Sequence, residues 1–136
     1  MIDRALIDTS ALLALANPRD QNHKRAVAAV RRLVDSGCRL IGTTLILAEF
    51  HSHMTRLARA RAHIVLNALL EDPLYEWRET PAQLVSEASH AWLLRHGVQA
   101  FSLTDAVSFE LMRQEKIDTA FAYWEGFRVA GFGMEG

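Results

Sequence analysis

Three carboxylates, Asp8, Glu49 and Asp105, stand where this sequence could do chemistry. Asp8 ends the short apolar run Ala5-Leu6-Ile7. Asp105 follows the strand-like Ala100-Phe101-Ser102-Leu103 and opens a helix. In open α/β sheets ligands collect beyond the carboxyl ends of the strands, so acids at strand ends weigh more than acids elsewhere. Glu49 sits in a helical stretch otherwise made of Leu45, Ile46, Leu47, Ala48 and Phe50, where a lone carboxylate is unexpected. Each acid also has a plainer use. Asp8 and Asp105 fit negative charge placed at helix N-termini, and Glu49 fits an exposed helical residue or a partner for His53 one turn on. Together they say more: clustered carboxylates repel one another and resist burial unless cations join them, and Mg²⁺ or Mn²⁺ suits such oxygen ligands.

The elements that must position these acids are legible from apolar spacing and turn residues. The run up to Ile7 reads as a strand, and Asp8-Thr9-Ser10 precedes a helix through Ala16. Asn17-Pro18 breaks that pattern. Ala26, Val27, Val30, Leu33 and Val34 then recur at helical spacing until Gly37. Leu40-Ile41-Gly42-Thr43 is a second strand, and Thr43 or Thr44 can cap a helix over residues 45–57. A further helix is expected over 59–70, ended by Asp72-Pro73, before a half-exposed strand over 74–78. Pro81 suits the first turn of a helix closed by His96-Gly97. The spacing then predicts a strand over 98–103, a helix over 104–115 and a last strand over 120–123. Strands alternating with helices imply one α/β domain over 1–136, with a mainly parallel central sheet covered by helices on both faces.

Composition agrees with a single globular unit. The 136 residues are 50% hydrophobic and 23% charged, enough apolar surface for a core. The longest apolar stretch, broken by Asp8, Thr9 and Ser10, falls short of the ~20 residues a membrane span needs, and no signal-peptide pattern opens the chain. A cytoplasmic protein without a membrane partner is the expectation. Cys38 is the one cysteine, which excludes an internal disulfide and a multi-cysteine zinc site; it reads as a small buried hydrophobe. Net charge is −1, yet residues 19–61 hold nine basic side chains against three acidic ones. That surplus suits phosphate contacts beside an acidic site, or a solvated helix face. The histidines form no zinc site, since His51 and His53 lie two apart on a helix and point to different faces. An aspartyl-nucleophile phosphatase is discounted because Ile7-Asp8-Thr9-Ser10 lacks a following second Asp.

Ile7-Asp8-Thr9-Ser10-Ala11-Leu12-Leu13 resembles the opening motif of PIN domains, Leu47-Ala48-Glu49 their second acidic motif, and Phe101-Ser102-Leu103-Thr104-Asp105-Ala106 their third. The 20–23 loop and the Ala130-Gly131-Phe132 ending are similar to the VapC-type ribonuclease toxins of bacterial toxin–antitoxin pairs. The resemblance implies that Asp8, Glu49 and Asp105 bind one or two divalent ions for hydrolysis of an RNA phosphodiester, leaving a 5′-phosphate and a 3′-hydroxyl. It makes Thr9 and Thr104 candidates to hold the carboxylates or a water, with helix capping as their plainer use. It also implies a cognate antitoxin as partner and leaves room for a homodimer through the apolar helices around residues 45–70.

The chain departs from that family at one place. A fourth acid is expected after the last strand, and Trp124 occupies its position in Tyr123-Trp124-Glu125-Gly126-Phe127. Glu125 is the nearest substitute, but neighbours on an extended segment point to opposite sides. The alternative is therefore a catalytically impaired PIN-like module that binds RNA or protein. Trp124 itself can cover the sheet end, stack on a base or pack as core.

Overall fold

The computed structural model describes residues 2–136. The first strand, β1 (Arg4–Ile7), runs into α1 (Thr9–Ala16) and α2 (His23–Asp35), and β2 (Arg39–Thr43) leads to α3 (Thr44–Leu57) and α4 (Arg59–Glu71). Next come β3 (Tyr75–Arg78), α5 (Ala82–Ala88) with a π-helical continuation Ser89–Leu94, α6 (Leu103–Glu115), β4 (Thr119–Phe121), α7 (Gly126–Val129) and β5 (Gly133–Glu135). The five strands form one sheet in the order β3-β2-β1-β4-β5, and every pairing is parallel.

Parallel strands need helical crossovers, and these bury the sheet on both sides. Leu6 and Ile7 point to opposite faces yet both are fully buried, as are the neighbours Leu40 and Ile41, and Ala120 and Phe121. Local chemistry sets the ends of the elements. Gly37, at φ +81°, closes α2: its N–H donates to the Val34 carbonyl at 2.9 Å, and the Cys38 N–H to that of Leu33 at 2.9 Å. Of the two candidate caps for α3, Thr43 takes the role, its hydroxyl accepting from the Ile46 N–H at 3.1 Å. Gly42 leaves room for Trp77 on the neighbouring strand, since a Cβ there would lie 2.3 Å from the indole. That indole donates to the Leu69 carbonyl at 3.0 Å and so ties β3 to α4.

Two expectations from sequence change. Residues 98–102 are irregular rather than a strand: Val98 is 97% exposed, and Phe101 spends its side chain against Phe109 and Trp124 instead of on a ladder. Asp105 therefore follows a loop, not a strand. The chain after residue 123 also adds α7 and β5, which extends the sheet by pairing with β4. Cys38 is buried and free.

Strand order reverses at β1: β2 and β3 continue on one side, whereas β4 returns to the other. Loops leaving β1 and β4 therefore part in opposite directions and open a crevice at their carboxyl ends.

Candidate active site: an acidic pocket at the β1–β4 crevice

Asp8 is the first residue beyond β1, and its N–H still donates to the Phe121 carbonyl at 3.0 Å, which anchors it between β1 and β4. It also caps α1. Its Oδ2 accepts from the Ser10 N–H at 3.2 Å and the Ser10 hydroxyl at 2.7 Å, while Ser10 Oγ accepts from the Tyr123 N–H at 3.0 Å. Asp105 is the third residue of α6 and closes a capping box: its Oδ2 accepts from the Ser102 N–H at 2.8 Å, and Ser102 Oγ accepts from the Asp105 N–H at 3.1 Å. Both aspartates thus serve as helix-capping groups, as their plainer reading has it, and the bonds from Ser10 and Ser102 fall on Oδ2 of each.

Glu49 projects from the second turn of α3, half-buried, toward the same space. Asp8, Glu49 and Asp105 together line an open cavity of about 360 Å³, with Thr9, Ser10, His53, Ser102 and Trp124 also on its wall. The acids sense one another. Burial pushes the Asp8 carboxyl up to about 6 against the opposing bonds from Ser10, and the charge of Asp105 adds to the rise. Burial likewise raises Asp105, with Ser102 opposing and the charge of Glu49 adding.

This donor set fits a hard divalent cation. Three carboxylates share the cavity, and the Thr9 hydroxyl is buried there without a hydrogen-bond partner. Among the described residues no three His, Cys, Asp or Glu side chains close into a ready-made ion cage. A cation held by these acids would draw part of its shell from water. Thr104 is half-buried and lies off the pocket wall; Ser102 is the residue that holds Asp105. Sequence reasoning passed over Ser10 and Ser102, although Asp-x-Ser and Ser-x-x-Asp spacings are visible capping signals. It also left His53 outside the site, although His53 follows Glu49 by one helical turn.

Trp124 lies on the pocket wall and packs at the same time. Its indole is nearly parallel to Phe109 at 6.3 Å and meets Phe127 and Phe101 edge-on at 5.8 and 6.2 Å. Gly126 makes this position available, because a Cβ there would fall 1.9 Å from the indole. Glu125 turns elsewhere: it is exposed, pairs with Arg128 at 3.2 Å, and lines a different cavity beside Arg25 and Tyr123.

No family model matches the chain. The 23S rRNA-specific endonuclease VapC20 of Mycobacterium tuberculosis is 31% identical over 129 residues, which cover 93% of each protein. The chain belongs to the VapC-type ribonucleases of the PIN fold. The VapC20 crystal structure, described as that of a sarcin–ricin loop cleaving toxin, matches with a TM-score of 0.82 at 29% identity over 94% of this chain and 95% of that one. Two more distant structures share the fold: VapBC2 of Rickettsia felis, bound to a promoter DNA fragment, with a TM-score of 0.69 at 12% identity over 97% of each chain, and FitAcB of Neisseria gonorrhoeae, at 0.67 and 17% over 97% and 96%. For this VapC-type chain, membership implies dependence on a divalent cation. No described helix is long and apolar enough to cross a membrane.

Proposed function

We propose that this chain is an RNA endonuclease toxin whose active site is the acidic pocket and whose activity a cognate antitoxin holds in check. The observation that carries the reading is the meeting of Asp8, Glu49 and Asp105, from β1, α3 and α6, in one cavity at the sheet's switch point. Ser10 and Ser102 grip Oδ2 of the two aspartates, which supports a role for the other oxygens toward a cation or its water. Thr9, on the same wall, has a buried and unpartnered hydroxyl and supports the acids from behind in this reading. Bound Mg²⁺ or Mn²⁺ would supply the charge that lets water attack a phosphodiester in line, giving a 5′-phosphate and a 3′-hydroxyl.

Kinship with VapC20 supports ribosomal RNA as the substrate class and, with it, a cytoplasmic site of action. A second copy is a further expected partner, since α4 buries only Ala62 and leaves Ile64 71% exposed. The reading as an impaired binding module is the weaker one, because Trp124 flanks the three acids without displacing any of them. The test is incubation of purified, antitoxin-free protein with 23S rRNA, with and without Mg²⁺ or Mn²⁺, followed by mapping of the new ends. Metal-dependent cuts bearing 5′-phosphates support the reading. Intact RNA under all metals overturns it.

A further inference from the structure

The basic surplus between residues 19 and 61 divides in the folded chain. Arg39 pairs with Glu76 at 2.5 Å, Arg32 reaches Glu135 at 4.0 Å, and Arg25 lies 5.1 Å over the Tyr123 ring. Among the described residues Arg19, Lys24, Arg31, Arg56, Arg59 and Arg61 have no carboxylate partner. Two of these, Arg19 from the α1–α2 loop and Arg61 from α4, converge on one cavity of about 390 Å³. Its remaining wall is largely apolar, including Pro18, Met54 and Leu57.

The notch and the acidic pocket are lined by successive turns of the same two helices. Thr9, Ser10 and Leu13 of α1 line the pocket and Ala16 lines the notch; on α3, Glu49 and His53 line the first and Met54 and Leu57 the second. At a rise of about 1.5 Å per residue, Leu57 stands about 12 Å along α3 from Glu49, within reach of a few nucleotides of strand. Two guanidiniums facing one cavity without a counter-charge repel each other, and a phosphate accepts from both. The apolar floor, with Leu57 61% exposed, offers a surface for the face of a base.

We infer that this notch seats a nucleotide of the RNA strand flanking the cleaved bond, with Arg19 and Arg61 on its phosphate and Pro18, Met54 and Leu57 beneath its base. The inference rests on the endonuclease reading. An acidic, partly apolar peptide shares some of this chemistry. RNA is favoured because the notch lies about two helical turns along α3 from the acidic pocket, at the spacing of neighbouring nucleotides.

The experiment measures binding of a labelled short single-stranded RNA by fluorescence anisotropy at several salt concentrations, in an Asp8→Asn background that leaves the RNA uncut. The combined Arg19→Ala and Arg61→Ala variant should bind about tenfold more weakly and flatten the salt slope by about 0.7 for each phosphate that the arginines no longer neutralise. Leu57→Ser should weaken binding with the slope unchanged, and the unpaired but distant Arg31→Ala should alter neither. The inference is overturned if the double variant binds like its parent, or if Arg31→Ala weakens binding as much. It is overturned in favour of a protein site if the double variant keeps RNA but no longer co-purifies with a co-expressed antitoxin. A parent that neither binds nor cuts RNA overturns the endonuclease reading itself, a result separable from any behaviour of the arginine variants.

Discussion

Asp8 is 6% exposed, and burial holds its carboxyl near pH 6 rather than at the ordinary 3.8. Because the folded value exceeds the unfolded one, ionising Asp8 opposes folding. The penalty is absent below pH 4, grows between the two values and is complete above 6, where it amounts to about 3 kcal/mol. Asp8→Asn should therefore abolish cleavage while stabilising the metal-free protein at pH 7 by up to that amount, and the advantage should vanish as pH falls to 4. Urea melts of both proteins across this range would check it, and equal stability at pH 7 would count against burial of a charged Asp8. Added divalent cation should raise the melting temperature of the parent but not of the variant. Trp124 makes the second prediction at this scale. Trp124→Asp supplies a carboxylate at the pocket wall and removes a ring packed on Phe109 and Phe127. We expect tighter metal binding or faster cleavage together with about 2–3 kcal/mol lower stability. Metal titration and initial rates on folded protein separate the two effects; a folded variant with no gain in either means that no acid is wanted at position 124.

At the scale of elements, α6 shows how a helix presents an acid to the pocket. Its N-terminus is set by the Ser102–Asp105 capping box, and its C-terminus by Lys116 in the left-handed region at φ +58°. A side chain there is strained by about 1–2 kcal/mol, partly offset because glycine loses more entropy on folding. Lys116→Gly should raise stability by about 1 kcal/mol without moving the active site; a shifted denaturant midpoint at constant slope, with cleavage unchanged, is the expected result. Elements with a strong local signature were legible in advance. Apolar runs gave away β1 and β2, Gly37 the end of α2, and Asp72-Pro73 the end of α4. The strand expected over 98–103 failed although Val98-Gln-Ala-Phe-Ser has strand composition, since Val98 stands in solvent and Phe101 joins the Phe109 aromatic cluster instead of a ladder. No local pattern marks the three-residue β5, which exists because β4 offers it an edge.

At the scale of the molecule, a chain of charges joins elements that the sheet alone does not connect. Glu115, at the end of α6, accepts from Arg4 of β1 at 3.2 Å and from Arg78 of β3 at 2.9 and 3.1 Å. Glu76 links Arg78 to Arg39. These side chains are about a quarter or more exposed, so the network contributes modestly and is screened by salt. Glu115→Gln should lower stability by about 1 kcal/mol in dilute buffer, with much of the difference gone in ~1 M salt. A deficit unaffected by salt would assign Glu115 a packing role instead.

The sequence by itself determined the parallel α/β class and singled out the three acids, because apolar periodicity, capping signals and isolated carboxylates are local properties of the chain; Trp124 stood out only through the resemblance to PIN domains. Only the tertiary structure decided what depends on distant segments meeting. It brought Glu49 and Asp105 to Asp8, packed Trp124 on Phe109, and set Arg19 and Arg61 around one notch. Those outcomes follow from strand order and crossover direction, which place residues remote in sequence within a few ångströms and leave no trace in their spacing.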